Sequence, residues 1–334
     1  MKERRKSALT ENIRKWRWGV NRWWILLFTI LGIIGANLFA PVRPHIQVAP
    51  ENVSHDPLFS LPVFGDFYLT NTLIALVVLD IVIILIALAV RNATSSGQLV
   101  PGGLAGAMEA LLEALYNLTE STAGKWAKAI FPWFASIFLV VLVGNMMKLL
   151  PGVESIGVLE ETKKNGHEMI QIIPGLVGAI IAGEVHGEGY HIIPYLRGLP
   201  TDLNFTAALA LISVFMTQVI GVRAQGIRYF SKFFNTLTIF KRPFFGFIDF
   251  AVGLLELISE FAKVLSFSFR LFGNMFAGAV LLFLVGSMAP VFAQSLVLAF
   301  EFFIGLIQAF VFGMLTMVFM SQATHGHGEE EHAE

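Results

Sequence analysis

The sequence predicts an all-α integral membrane protein with about six membrane helices, the last two forming a long, strongly tilted hairpin. Three observations point there. Of 334 residues, 55% are hydrophobic and only 14% are charged, against about 25% charged in a soluble globular domain. Apolar stretches fall at 23–40, 70–90, 131–150, 203–221, 245–286 and 291–321, each near or beyond the about 20 residues that cross a hydrocarbon core. No proline interrupts Phe244 to Ala289. A helix of that length runs about 60 Å, twice the thickness of the core, so it lies obliquely or breaks partway.

The elements follow in order. Residues 1–22 form a basic cytoplasmic N-terminus holding Lys2, Arg4, Arg5, Lys6, Arg14, Lys15, Arg17 and Arg22. Residues 23–40 open on Trp23-Trp24, side chains that favour the membrane–water interface. Ala36 and Ala40 allow a signal-peptide reading, but Pro41 sits badly just after such a cut, and the stretch reads as a retained anchor. The positive-inside rule then places the loop at 222–244, with Arg223, Arg228, Lys232, Lys241, Arg242 and no acid, in the cytoplasm. The loops at 41–69 and 151–202 are richer in Asp and Glu and fall outside. Residues 98–128 place Met108, Leu111, Leu112, Leu115 and Leu118 at helical spacing with Glu109, Glu113 and Glu120 between them, an amphipathic helix for the cytoplasmic surface or a partner subunit. Residues 323–334 are a tail rich in His and acid, read as disordered and not as a metal site. The absence of cysteine excludes disulfides, thiolate metal sites and a Cys nucleophile.

The last third carries the chemistry. At about 100° per residue, Ser259, Lys263, Ser266, Arg270, Glu256, Asn274 and Glu260 share an arc of about 120° on the first long helix. On the second, Gln294, Glu301 and Gln308 recur every seven residues and share a face. An arginine at mid-membrane costs about 2.5–3.5 kcal/mol on insertion scales. One explanation is structural, with Arg270 paired to Glu256, Glu260 or Glu301. The other is a path for ions, in which an arginine that cannot lose its proton is a fixed positive barrier. A self-contained transporter would show paired repeats with broken helices in matched halves, and a plain membrane anchor needs no polar line; the chain shows neither the repeats nor the plainness.

Ser266-Phe267-Ser268-Phe269-Arg270-Leu271-Phe272-Gly273-Asn274-Met275-Phe276-Ala277-Gly278 resembles the signature of F-type ATP synthase subunit a. Gln308-Ala309-Phe310-Val311-Phe312, Asn145-Met146-Met147-Lys148-Leu149-Leu150-Pro151 and Pro200-Thr201-Asp202-Leu203-Asn204-Phe205-Thr206 resemble three further elements of that family, in its order. The resemblance covers about 65–322 and implies a membrane domain of that extent. It implies that Arg270 is the stator arginine facing the carboxylates of a rotating c-ring, with Asn274 and Gln308 flanking it. It implies that Glu256, with Glu260 and Ser266 nearby, lines a cytoplasmic half-channel, and that Asp202 and Asn204 lie near an outer access path. The implied partners are the c-ring, peripheral-stalk b subunits and membrane lipids, and the carried ion is H⁺, with Na⁺ left open. Neither cofactor, metal nor nucleic acid is implied, and the chain is no enzyme on its own. The implied location is a bacterial inner membrane.

The chain departs from the family pattern at three places. Ala279 stands where relatives place an acid or His, which leaves the outer relay to Glu301. Glu301 itself stands where others have His, Gly or an acid. Lys148 replaces a small or acidic residue and is expected to snorkel toward the membrane edge. His167, His186 and His191 lie in the outer loop without zinc-protease spacing and are read as surface structure.

Overall fold

A computed structural model describes residues 18–38, 49–54, 56–62, 65–95, 102–150, 153–162, 166–173, 177–185, 189–233, 243–288 and 292–325. The helices are α1 (Trp18–Leu38), α2 (Asn71–Ser95), α3 (Gly103–Ala123), α4 (Ala127–Met147), α5 (Leu203–Gln225), α6 (Pro243–Met288) and α7 (Phe292–Thr324). Five spans among the described residues are long and apolar enough to cross a membrane: α2, α3 running on into α4, α5 with the turn after it, α6 and α7. The expected sixth, at 23–40, falls on α1, a helix of 21 residues. Residues 39 and 40 of that expected anchor, the N-terminus before 18 and the tail after 325 lie outside the described residues, as does His186.

The core lies where α4, α5, α6 and α7 meet. Phe134, Phe138 and Val141 of α4 pack with Ile220 of α5, Leu271 and Met275 of α6, and Phe312, Met317 and Met320 of α7. Apolar burial gives no preference for helix over lipid, so polar side chains and close packing must hold the bundle. Ser213 of α5 and Thr316 of α7 share a hydrogen bond of 2.7 Å, and Asn145 Nδ2 of α4 donates to the Gly305 carbonyl of α7 at 2.8 Å. Ser321 Oγ of α7 donates to the Thr122 carbonyl at the end of α3. Each such bond contributes about 0.6 kcal/mol on average in membrane bundles.

α3 behaves as its pattern predicts: Ala105, Leu115, Thr119 and Ala123 are buried, while Glu109, Glu113 and Glu120 are exposed. It joins α4 through the tight turn Gly124–Trp126, and Tyr116 meets Phe131 edge-on.

α6 is one unbroken helix of 46 residues and α7 one of 33, so of the two sequence expectations, a tilt or a break, no break occurs. The two are antiparallel neighbours. Lys263 lies over the Phe319 ring, Phe267 packs on Phe312, Asn274 bonds Gln308, and Gly286 lies against Gln294. At about 1.5 Å per residue they measure about 69 Å and about 50 Å, well beyond a hydrocarbon core of about 30 Å.

The loop at 151–202 holds something the all-α reading did not contain: a four-stranded antiparallel sheet in the order β3 (Gly157–Thr162), β6 (Gly189–Pro194), β4 (Gly166–Ile173), β5 (Val177–Val185). A short hairpin, β1 (Phe59–Leu61) with β2 (Gly65–Phe67), precedes α2. The signal for β4 and β5 was present, since Met169-Ile170-Gln171-Ile172-Ile173 and the Ile/Val-rich run after Pro174-Gly175 are β-prone and bounded by turn residues. The register Ile173↔Val177 agrees with that turn. Asn165-Gly166 would suggest a β3–β4 hairpin, yet β3 pairs with β6 instead. His191 contacts Glu160 across that pairing at 3.4 Å, and His167 is buried in the sheet opposite Tyr190. Arg197 Nη1 donates to the Ala49 carbonyl at 2.8 Å, which joins the 49–70 segment to the sheet end of the molecule.

Candidate functional site

Polar side chains on α6 and α7 gather into two clusters with Arg270 between them. At the end near the α5 C-terminus, Lys232 folds back onto α6. Its Nζ lies 2.5 Å from Glu256 and 3.4 Å from Glu260. Lys263 reaches Glu260 at 2.9 Å from one turn along. Gly253 permits the fold-back, because a Cβ there would overlap the Phe233 carbonyl. Two lysines and two carboxylates thus neutralise one another, and Glu260 is buried with Oε2 lacking a hydrogen bond.

At the sheet end, Glu301 of α7 is 2% exposed and forms an ion pair with Lys148, which follows the last turn of α4. The snorkelling expected for Lys148 is corrected: its side chain is 4% exposed and turns inward, and Nζ also donates to the Met275 carbonyl of α6 at 3.3 Å. The acid on the facing helix is a stronger partner than the interface, since a buried carboxylate without a counter-charge costs several kcal/mol. Gly278 makes room, as a Cβ there would overlap the Glu301 carboxylate. Replacing Gly278 by alanine is therefore expected to displace Glu301 and to lower the thermal stability of the purified protein by several degrees, as a scanning melt would record. A melting curve equal to wild type would show that the carboxylate does not sit there.

Glu154, in the turn after α4, joins this cluster. Burial pushes its carboxyl above the usual range, Lys148, the Gly198 backbone and Arg197 pull it down, and the nearby Glu301 pushes it up again. Below its raised pKa the group is neutral, so it takes up a proton more readily than an ordinary surface glutamate. It was not singled out from the sequence. Nothing in its spacing separates it from the other acids of the loop, whereas the fold places it within electrostatic reach of Lys148.

Between the clusters stand Arg270, Asn274 and Gln308. Asn274 Nδ2 donates to Gln308 Oε1 at 2.7 Å across the two helices. Arg270 is exposed and, among the described residues, has no hydrogen bond or ion pair. The structural explanation weighed for it, a partner among Glu256, Glu260 and Glu301, is not what the fold contains: lysines occupy all three acids. Arg270 lies ten residues from Glu260 and eight from Gly278, so about 15 Å and about 12 Å of helix separate it from the two clusters. Ser266 is exposed one turn away. Asn145 Oδ1 and Gln308 Nε2 are buried and open; such atoms are places for ordered water.

Asp202 is buried and serves as the N-cap of α5, its carboxylate accepting from the Asn204 amide at 2.8 Å. Asn204 is exposed. Neither makes a hydrogen bond or ion pair with the Lys148–Glu301 cluster, and the capping bond explains why an acid stands at 202. The segment Leu199–Thr201 leading into it packs beside α6.

A bundle of apolar spans that keeps ion pairs and a free arginine among its long helices is an integral multi-pass membrane protein with ionic chemistry in the membrane. The model of the family described as ATP synthase A chain matches residues 72–321. The chain belongs to that family, and its place is the bacterial plasma membrane. It is 33% identical over 215 residues to the ATP synthase subunit a of Pseudoalteromonas atlantica, covering 62% of this chain and 69% of that one. It is 28% identical over 227 residues to that of Bradyrhizobium diazoefficiens, covering 67% and 70%. It is 27% identical over 196 residues to that of Geotalea uraniireducens, covering 58% and 63%. The match thus spans a little under two thirds of the length of the Geotalea relative.

Proposed function

We propose that this chain is the proton-translocating stator subunit of a rotary F-type ATP synthase. Its two clusters would be the inner walls of two half-channels offset along α6 and α7. A proton enters from the sheet end past Glu154 and Glu301, neutralises a carboxylate on a c-ring, and rides the ring through lipid. It leaves by the Glu256–Glu260 side after Arg270 draws the ring carboxylate back to its charged form. The driving free energy is about 2.3 kcal/mol per charge per 100 mV of membrane potential. On this reading α6 and α7 lie obliquely and wrap the ring, peripheral-stalk b subunits hold the stator, and the chain turns nothing over alone.

One observation carries this reading: Arg270 is exposed and unpaired while each nearby acid has its own lysine. A buried arginine serving only packing would take one of those acids, because leaving a charge unpaired in the membrane costs kilocalories. An arginine kept free has its partner elsewhere. Around it α6 exposes Ile258, Phe261, Leu265 and Phe269, an apolar setting suited to a helical ring.

Cysteines at Ser266 and Asn274, tested in membranes with cysteines placed beside the ring carboxylate, are expected to crosslink to ring subunits under mild oxidation. Crosslinks confined to subunits other than the ring would remove α6 from the rotor face.

A further inference from the structure

α2 carries an acid for which the proposed path has no use. From Leu73 to Val90 the helix offers eighteen residues, all apolar except Asp80. Asp80 stands about 2 Å from the middle of that stretch, by the helical rise. The residues α2 buries, Asn71, Thr72, Ala75 and Leu79, all lie before it. Ala75 and Leu79 pack against Leu199. Asp80 faces away and is exposed, flanked on its side of the helix by Val77, Ile81, Ile84 and Leu88, all exposed too. Among the described residues it has no hydrogen bond, and no cation lies against it.

Lipid chains cannot satisfy a carboxyl group, charged or neutral. An aspartate at the centre of a span costs about 2.5–3.5 kcal/mol on insertion scales unless something at that depth receives it. At mid-membrane, in contact with lipid, only another helix can bring a donor, because only helices and closed barrels satisfy their own backbones there.

We propose that Asp80 and the bare face of α2 dock a membrane-spanning helix of a partner subunit, one that presents a hydrogen-bond-donating side chain, lysine or arginine foremost, at mid-depth. The proposal rests only on the chain's working within an assembly and not on the proton path, so Arg270 and Glu301 can be tested independently. A carboxylate with a cation opposite loses its insertion cost and fixes the register of the two helices. The surrounding aliphatic face supplies the packing.

The test uses the full complex in its native membrane, with a photo-crosslinking residue at Ile84 and, separately, Asp80→Asn and Asp80→Leu. The expected result is an Ile84 adduct to a membrane helix of another subunit, with a donor side chain opposite position 80. Asp80→Leu is expected to reduce that adduct and the co-purification of that subunit at least tenfold, with Asp80→Asn keeping most of both. Leucine suits a lipid-facing helix, so this variant inserts and folds. Adducts to lipid only, adducts within this chain only, or unchanged subunit content in Asp80→Leu would overturn the proposal. Passive proton flux in the same membranes shows whether the proposed path is intact, which separates the two readings.

Discussion

Replacing Arg270 by alanine is expected to abolish ATP synthesis and ATP-driven proton pumping while leaving the complex assembled. The expectation follows from geometry. Arg270 has no partner among the described residues, so its removal orphans no acid of this chain there, and the usual penalty for breaking a buried pair, about 3–5 kcal/mol, does not arise within the subunit. The core around Leu271 and Met275 keeps its packing. What disappears is the charge that returns a ring carboxylate to its ionised form. Loss of activity below about a thousandth of wild type corresponds to about 4 kcal/mol of barrier. Arg270→Lys keeps a charge, but lysine lacks the planar fork and sheds its proton when desolvated, so it should behave nearly as alanine does. ATP synthesis in energised vesicles, normalised to assembled complex, is the measurement.

The second large effect is expected at the Lys148–Glu301 pair. Lys148→Met leaves Glu301 buried with no counter-charge, which costs about 3–5 kcal/mol and should sharply lower the amount of assembled complex. It also removes one of the influences that pull the Glu154 carboxyl down, so Glu154 stays protonated to higher pH. Adding Glu301→Gln to Lys148→Met removes the orphaned charge and should restore assembly without restoring synthesis. Glu301→Gln alone leaves Lys148 an amide oxygen, the Met275 carbonyl and the nearby Glu154, so assembly should fall less than in Lys148→Met while synthesis falls about tenfold or more, about 1.4 kcal/mol. Blue-native gels for assembly and synthesis rates at several external pH values separate the two. Equal assembly in Lys148→Met and wild type would mean that the pair is not formed.

Much of this was legible in the sequence because membrane helices announce themselves. Apolar runs at 70–90, 131–150, 203–221, 245–286 and 291–321 all became spans. The seven-residue repeat of Glu301 and Gln308 placed both on the buried side of α7, and wheel geometry brought Asn274 to the helix edge where it meets Gln308. Pairings across the fold were not legible. Lys232 read as one of several topological charges in a basic loop, and only the approach of Phe233 to Gly253 carries it to Glu256. Lys148 read as an interfacial lysine because its partner lies 153 positions away on α7. The four-stranded sheet at 157–194 was missed because hydropathy over twenty-residue windows averages out strands of six to nine residues.

The central claim is that Arg270 is a barrier between two paths, and passive proton flux tests it most directly. Vesicles carrying equal amounts of assembled membrane sector, stripped of the catalytic head, would be given a potassium-diffusion potential, and proton entry followed with a pH-sensitive dye. With Arg270→Ala, flux is expected to equal or exceed wild type, alongside no ATP-driven pumping once the head is restored. Flux no higher than in vesicles lacking the complex, or coupled pumping by the alanine variant, would contradict it.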